Sequence, residues 1–418
     1  MSGRQGLDDA QVRALGGPDR QWLLAEVDRL LDTAAGAALP QGGFGWLDAE
    51  GGVDASRGRQ LWISDRMVHS LSLGHLLGRE RDGDLVDAGV AALLGDFADV
   101  RNGGWWADPD RLSGAGDRVK GAYGHAFVVL AASSATVAGR RRAADLLEQA
   151  LAVQNEHFWD DAAGAVVEQW DETFTGLDPY RGANANMHSV EAYLSAADAT
   201  GDRIWRARAL RICERIINDA DSGARGYSWR VPEHFDASWN VVEDYNAAAP
   251  ADPFRPYGIT PGHGLEWSRL LLQLEAALTA DGAPPPAWLR EAAIGLFDRA
   301  LSDGWDETNG GIVYTTDWNG TPVVEQHFHW VICEGIAAAA TLHAVTGEPR
   351  YAQTYRSMWD YARRVYLDGR PGWQMEVEPD GAPSAVTWVG RPDVYHAVQA
   401  ALVPLLPQAP GFAAALAR

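Results

Sequence analysis

Cysteine is scarce in this 418-residue chain: Cys213 and Cys333 are the two present. Two thiols build neither a disulfide framework nor a four-sulfur zinc site. Positive charge is also short. Lys and Arg total 35 against 57 Asp and Glu, a net charge of −22, and a surface of that sign repels nucleic-acid phosphates and anionic lipid heads. No apolar run approaches the ~18 residues that a membrane span needs. The N-terminal residues Met1 to Asp9 hold no apolar h-region, so no signal peptide is expected. There is no Gly-rich phosphate loop of either standard pattern, no Gly-x-Ser-x-Gly elbow and no His-Glu-x-x-His motif. The usual signals of nucleotide-dependent, serine-hydrolase and zincin chemistry are therefore missing. The expectation is a cytoplasmic protein of a reducing compartment, with no nucleic-acid or membrane partner.

What is present is a globular composition, 46% hydrophobic, with 18 Trp. Indoles fill cores, but they also stack on sugar rings, so the count leans weakly toward a carbohydrate ligand.

Apolar residues recur at three- and four-residue spacing in segments rich in Ala and Leu, which predicts helices. They fall near 20–36, 59–78, 84–98, 120–138, 140–156, 184–200, 202–218, 262–280, 286–303, 330–346, 349–366 and 393–405. Five times a helix ends at a Gly and another starts within a few residues, at Gly78, Gly139, Gly201, Gly282 and Gly347. Gly is the residue that takes the left-handed conformation closing a helix. The second helix of each pair is the more charged, so it suits an outer position with one solvated face. The blander first helix, carrying His and Trp, suits an inner one. Short stretches with turn and strand signals follow several outer helices, such as 103–106, 159–164, 305–316 and 372–376. If 20–36 closes against 393–405, the twelve helices make six pairs. The fold class expected is all-α: a toroid of inner and outer helices with short β-hairpin loops at one end, residues 1–418 as one domain. The one long interruption is 219–260, with Trp229, His234 and Trp239.

His188, His263 and His396 each lie near the start of an inner helix. If inner helices run parallel, all three face one mouth, which makes that mouth the candidate site. Glu266 follows His263 by three residues, and Glu191 follows His188 by the same offset, so each pair shares a helix face. A carboxylate beside an imidazole raises its pKa and orients its tautomer, as a general base near neutral pH requires. Arg66 falls on the first inner helix of the Gly-linked pairs, and Trp330 and Glu334 share a face of the fifth. Each has a structural alternative: Arg66 pairing with Asp65 or Glu266, the His-Glu pairs acting as ion pairs alone. His69, His75, His157 and His343 read as core or capping residues. Di-metal bundles use Glu-x-x-His, the reverse of the order here, so no metal is expected.

The chain resembles the N-acylglucosamine 2-epimerase superfamily, and within it the aldose–ketose isomerases. The resemblance rests on Gly43-Phe44-Gly45-Trp46-Leu47, Leu61-Trp62-Ile63-Ser64-Asp65-Arg66-Met67 and the run from Tyr180 to His188. It continues through Val231-Pro232-Glu233-His234-Phe235-Asp236, Pro261 to Trp267 and Asp393-Val394-Tyr395-His396. It implies an (α/α)6 barrel and a cofactor-free interconversion of an aldose with its 2-ketose through a cis-enediol. Carried onto this chain, it makes His263 and His396 the acid/base pair. Arg66, His188 and Glu266 would hold and polarise the sugar oxygens, with Asn184, Trp330 and Glu334 as further substrate-binding residues. The expected partner is a monosaccharide; oligomeric state is left open. Members acting on a sulfonated sugar place glutamines near positions that are Met375 and Pro392 here, and these two side chains donate no hydrogen bond to a sulfonate. That favours D-mannose and D-fructose, with D-lyxose and D-xylulose beside them. Sulfoquinovose isomerisation and sugar 2-epimerisation stay as alternatives within the family. An inverting glycosidase or lyase and a non-catalytic sugar-binding scaffold stay outside it.

Overall fold

The computed structural model describes residues 7, 9–112 and 118–418. Six inner helices form the wall of a barrel: α3 (Leu61–Leu76), α5 (Ala122–Val137), α7 (Ala183–Thr200), α9 (Pro261–Ala280), α11 (His329–Thr346) and α13 (Tyr395–Leu402). Each packs on the next, and α13 returns to α3, so the ring closes. Six outer helices alternate with them along the chain: α2 (Arg20–Gly36), α4 (Glu80–Leu93), α6 (Ala143–Val153), α8 (Ile204–Cys213), α10 (Trp288–Gly304) and α12 (Pro349–Val365). As expected from the sequence, α2 pairs with α13 across the chain ends.

The division into inner and outer follows from side-chain chemistry. Helix α3 is buried on every side, polar residues included, from Leu61 to Gly74. Helix α12 buries one stripe, Tyr351, Tyr355, Met358, Trp359 and Ala362, and turns its arginines outward, the pattern of a helix with one solvated face. All five punctuating glycines have positive φ, from 67° at Gly139 to 91° at Gly78. There a side chain would be strained. One hydrophobic cluster runs through the barrel and between its layers.

Two short helices lie outside the twelve. These are α1 (Ala10–Leu15), against α11 and α12, and α14 (Phe412–Leu416), against α3, α5 and α7. The segment before α14 is tied to the barrel by Gln408 donating to the Thr341 carbonyl and Gly411 N–H donating to Asp198.

The strands gather where the inner helices begin. Lys120–Gly121 pairs with Gln169–Trp170 and leads into α5, and Arg181–Gly182 pairs with His234–Phe235 and leads into α7. Val313–Thr316, Pro322–Phe328 and Glu376–Val377 form a three-stranded sheet whose middle strand leads into α11. The stretch 103–106 forms only an isolated bridge from Ala98 to Trp105. Among the described residues no helix is long and apolar enough to cross a membrane.

Candidate active site

The N-terminal ends of the inner helices converge on one pocket. Arg66 comes from α3, Asn184 and His188 from α7, His263 and Glu266 from α9, Trp330 from α11 and His396 from α13, and all of them line it. Glu334 lies beneath the surface, accepting a hydrogen bond from His396 Nδ1 at 2.8 Å. The structure thus brings together every site residue singled out from the sequence. It adds Trp62, Tyr123, Phe254, Tyr314, His329, Trp388 and Asp393 to the lining. First-turn N–H groups of a helix lack intrahelical acceptors and carry partial positive charge, so this convergence favours an anion forming in the pocket.

The pairing of His263 differs from the expectation. The carboxylate that accepts from its Nδ1 is Glu233, 30 residues upstream, at 2.9 Å. Glu266 instead approaches His188 Nδ1 at 3.7 Å and Arg269 at 3.8 Å. Spacing of i, i+3 puts two residues on one face, but here a neighbouring element reaches the imidazole with better geometry. Glu233 comes from the 219–260 insertion, which also carries Phe254 to the mouth.

His263 and His396 are therefore built alike. Each has its Nδ1 on a buried carboxylate, an arrangement in which the neutral ring carries its proton on that nitrogen and its lone pair on Nε2. Between them lies Trp330, its ring 5.3 Å from His263 and 5.8 Å from His396.

For His188 the expected upward shift is overturned by burial. His188 is pushed down to about 4 by burial, which Glu191 at 4.0 Å opposes without cancelling and Arg66 reinforces. Burial, with Arg66 nearby, also drives His396 well below its ordinary value. Both imidazoles are accordingly neutral at pH 7. His188 Nδ1 makes no hydrogen bond of its own.

Arg66 pairs with neither Asp65 nor Glu266. It donates to Asp393 at 3.0 Å and to the Tyr123 hydroxyl at 2.9 Å, with the rings of Phe127 and Tyr395 4.5 and 4.8 Å from its guanidinium. Burial opposes ionisation of Asp393, yet Arg66 holds its carboxyl below the usual range.

Under the pocket floor, Arg269 is fully buried between Glu334, at 3.0 Å, and Glu266, at 3.8 Å. Burial and the neighbouring Glu334 push Glu266 well above the usual carboxyl range. That favours its protonated form, which adds a donor that a carboxylate lacks. Glu191 is the contrast. Burial opposes its charge, but His188, Arg269 and the Tyr395 hydroxyl hold it down.

Two groups of ligand-type side chains approach one another within 4.8 Å: His188, Glu191 and Glu266, and Glu266, Glu334 and His396. Arg269 already brings a positive charge to both, and the His396–Glu334 bond occupies atoms a metal would need.

The histidines read as core or capping residues lie off the pocket lining. His69 bonds the Ser134 hydroxyl at 2.7 Å and His157 stacks on Phe174 at 3.7 Å. His75 lies 3.3 Å from Arg140, and neither it nor His343 lines the pocket. His234 is spent on the Tyr180 hydroxyl and the Pro256 carbonyl. Met375 lines the pocket, whereas Pro392 does not.

Fold and site together define a class: an (α/α)6 barrel with carboxylate-backed imidazoles and an arginine at the inner-helix N-termini. The model of the N-acylglucosamine 2-epimerase family matches residues 42–400. The D-mannose isomerase of Thermobifida fusca is 47% identical over 401 residues, covering 95% of this chain and 97% of that protein. A crystal structure of a D-mannose isomerase superposes with a TM-score of 0.83 at 27% identity, over 92% of this chain and 97% of its own. A cellobiose 2-epimerase from Spirochaeta thermophila DSM 6192 shares the fold, with a TM-score of 0.77 at 20% identity, over 92% and 95% of the two chains. The chain belongs to the N-acylglucosamine 2-epimerase family.

Proposed function

We propose that the protein interconverts D-mannose and D-fructose by acid/base proton transfer between His263, His396 and the sugar, with D-lyxose and D-xylulose as further substrates. The observation that carries the reading is the pair of histidines on either side of Trp330, each backed by a buried carboxylate.

The chemistry follows from that geometry. The ring opens when its oxygen gains a proton and the anomeric hydroxyl loses one. An imidazole Nε2 lone pair then takes the C2 proton, and the electrons left behind form the C1–C2 double bond of a cis-enediolate. Negative charge builds on O1, where the Arg66 guanidinium and the converging helix N-termini stabilise it. The imidazolium returns its proton to C1 while the O2 hydroxyl proton passes to O1, which leaves the carbonyl at C2 and gives the 2-ketose. Protonated Glu266 donates to a sugar oxygen without adding a negative charge where one is developing. Its pairing with Asp393 and Tyr123 fixes Arg66, so the charge is in place before reaction.

Incubation with D-mannose in D2O, followed by proton NMR, tests the reading. Fructose carrying deuterium at C1 supports it, as does loss of that conversion in His263→Ala and His396→Ala. Glucose without fructose would instead assign a 2-epimerase, and an unchanged spectrum would remove mannose as substrate.

A further inference from the structure

Residues 384–390 form no helix or strand, yet they carry Trp388, whose ring is one wall of the pocket. Trp388 lies within 5.2 Å of Phe254, 5.9 Å of Trp62 and 6.0 Å of Trp46. Its neighbours Val386 and Val389 face solvent, 61% and 47% exposed. Apolar burial alone therefore does not hold this loop in place.

A single carboxylate gathers its first half. Glu376 is fully buried, and its two oxygens accept four hydrogen bonds from the loop. The Ser384 hydroxyl and the Val386 N–H donate to Oε1, both at 2.8 Å. Thr387 and Trp388 donate their N–H groups to Oε2, at 3.0 and 2.8 Å. Three successive main-chain N–H groups thus converge on one ion, the arrangement of a backbone nest around an anion. The main chain of Glu376 is fixed on its other side. It pairs with Phe328, immediately before His329 and Trp330 at the start of α11, and the Met375 carbonyl accepts the His329 N–H at 3.1 Å. Beyond Trp388 the loop has separate anchors, the Trp46 indole on the Val389 carbonyl at 2.9 Å and Arg391 N–H on Leu47 at 2.8 Å.

We infer that Glu376 is a positioning residue for the proposed sugar pocket: it fixes the Trp388 wall relative to the Trp330 wall and acts on substrate affinity, not on proton transfer. The inference rests on the proposed isomerase reading only for its kinetic arm. No base or acid of the mechanism touches Glu376, so its removal leaves His263, His396 and Arg66 in place while the opposite wall loosens.

Glu376→Gln is the direct test, because the amide keeps the size but turns one oxygen into a donor. With the NH2 at the Oε2 position the Thr387 and Trp388 N–H groups lose their acceptor; with it at the Oε1 position the Val386 N–H does, while the Ser384 hydroxyl turns to accept. Hydrogen exchange in sugar-free protein is expected to speed up at Val386, Thr387 and Trp388. The KM for D-mannose is expected to rise about tenfold with kcat within about twofold, as for loss of one or two buried hydrogen bonds. The double variant Glu376→Gln/Trp388→Ala is expected to be no worse than Trp388→Ala alone, since both act through one ring. Unchanged exchange, a fall in kcat at constant KM, or additive losses would each overturn the inference. Should Glu376→Gln not fold, Ser384→Ala removes one anchor from the loop side, and the same shifts are expected at smaller size. If the wild-type protein leaves D-mannose unconverted, the isomerase reading fails, while the exchange arm still decides whether Glu376 holds the loop.

Discussion

His263 donates its Nδ1 proton to Glu233 at 2.9 Å, and the main-chain carbonyl of the same Glu233 accepts the Ala183 N–H at the start of α7. One residue of the 219–260 insertion thus sets the tautomer of an imidazole on α9 and caps the helix that carries Asn184 and His188. The insertion completes the site instead of decorating it.

From this pairing, Glu233→Ala is expected to lower kcat by about 10²-fold, the ordinary scale of one general acid/base contribution. Glu233→Gln retains an acceptor oxygen for Nδ1 and is expected to fall between wild type and Ala. Steady-state kinetics on the three proteins check the order. Equal activity in all three would show that the His263 tautomer does not limit the reaction.

The twelve-helix toroid was legible in the sequence because helix period, left-handed glycines and the charge difference between paired helices are all local signals. The convergence of His188, His263 and His396 was legible too, since each sits near the start of an inner helix. Their partners were not. Glu233 reaches His263 across 30 residues and Asp393 reaches Arg66 across 327, and no local pattern encodes such contacts. The pairing of Glu266 with His263 failed for the same reason: a shared helix face does not say which neighbour approaches closer. The downward shifts of His188 and His396 depend on burial, which the sequence carries only through the finished fold.

Those shifts set a pH expectation. His396 lies well below the ordinary value of 6.5 and His188 at about 4, both through burial first. A base must be deprotonated, so it works above its pKa and is lost as pH falls through it. If His396 is that base, the acid limb of kcat/KM lies below pH 6.5. Stability moves in the same direction. Between pH 6.5 and about 4 the unfolded chain binds protons that the folded His188 refuses, so stability falls as pH falls through that window. A pH–rate profile and urea denaturation at pH 5 and 7 test both; an acid limb at or above 6.5 would contradict the first.

Arg269 lies between Glu266 and Glu334. Arg269→Met leaves two buried carboxyls without their cation and is expected to cost about 3–5 kcal/mol, the scale for breaking a buried ion pair. Arg269→Lys is not expected to restore it, since a point ammonium cannot reach both carboxyl groups as the guanidinium does. With Arg269 in that position, mannose conversion is expected to survive EDTA. Activity lost to EDTA and restored by a divalent ion would replace the metal-free mechanism with one centred on the Glu266–Glu334–His396 group.

Lys120 is the single lysine of the chain, and it is wholly buried. Its ammonium donates to Asp99 at 2.7 Å and to the carbonyls of Gly103 at 2.6 Å and Glu172 at 2.7 Å. The Phe174 ring lies 4.3 Å away and Trp106 5.0 Å. All three ammonium protons are used, and they tie the 99–106 turn and the 171–174 turn to the strand that leads into α5. Tyr123, three residues on, is the hydroxyl that Arg66 holds. Lys120→Met therefore leaves Asp99 buried without its counter-charge, an expected loss of about 3–5 kcal/mol. It also loosens the entry to α5, so kcat/KM is expected to fall with the denaturation midpoint. Arginine is no substitute, because its planar fork is larger and the three acceptors surround a point. The same burial predicts that acetic anhydride modifies Lys120 in unfolded protein and spares it in native protein, read by mass spectrometry of the peptide. Rapid native modification would show that the two turns open in solution, and would remove Lys120 as the tie between them and the pocket.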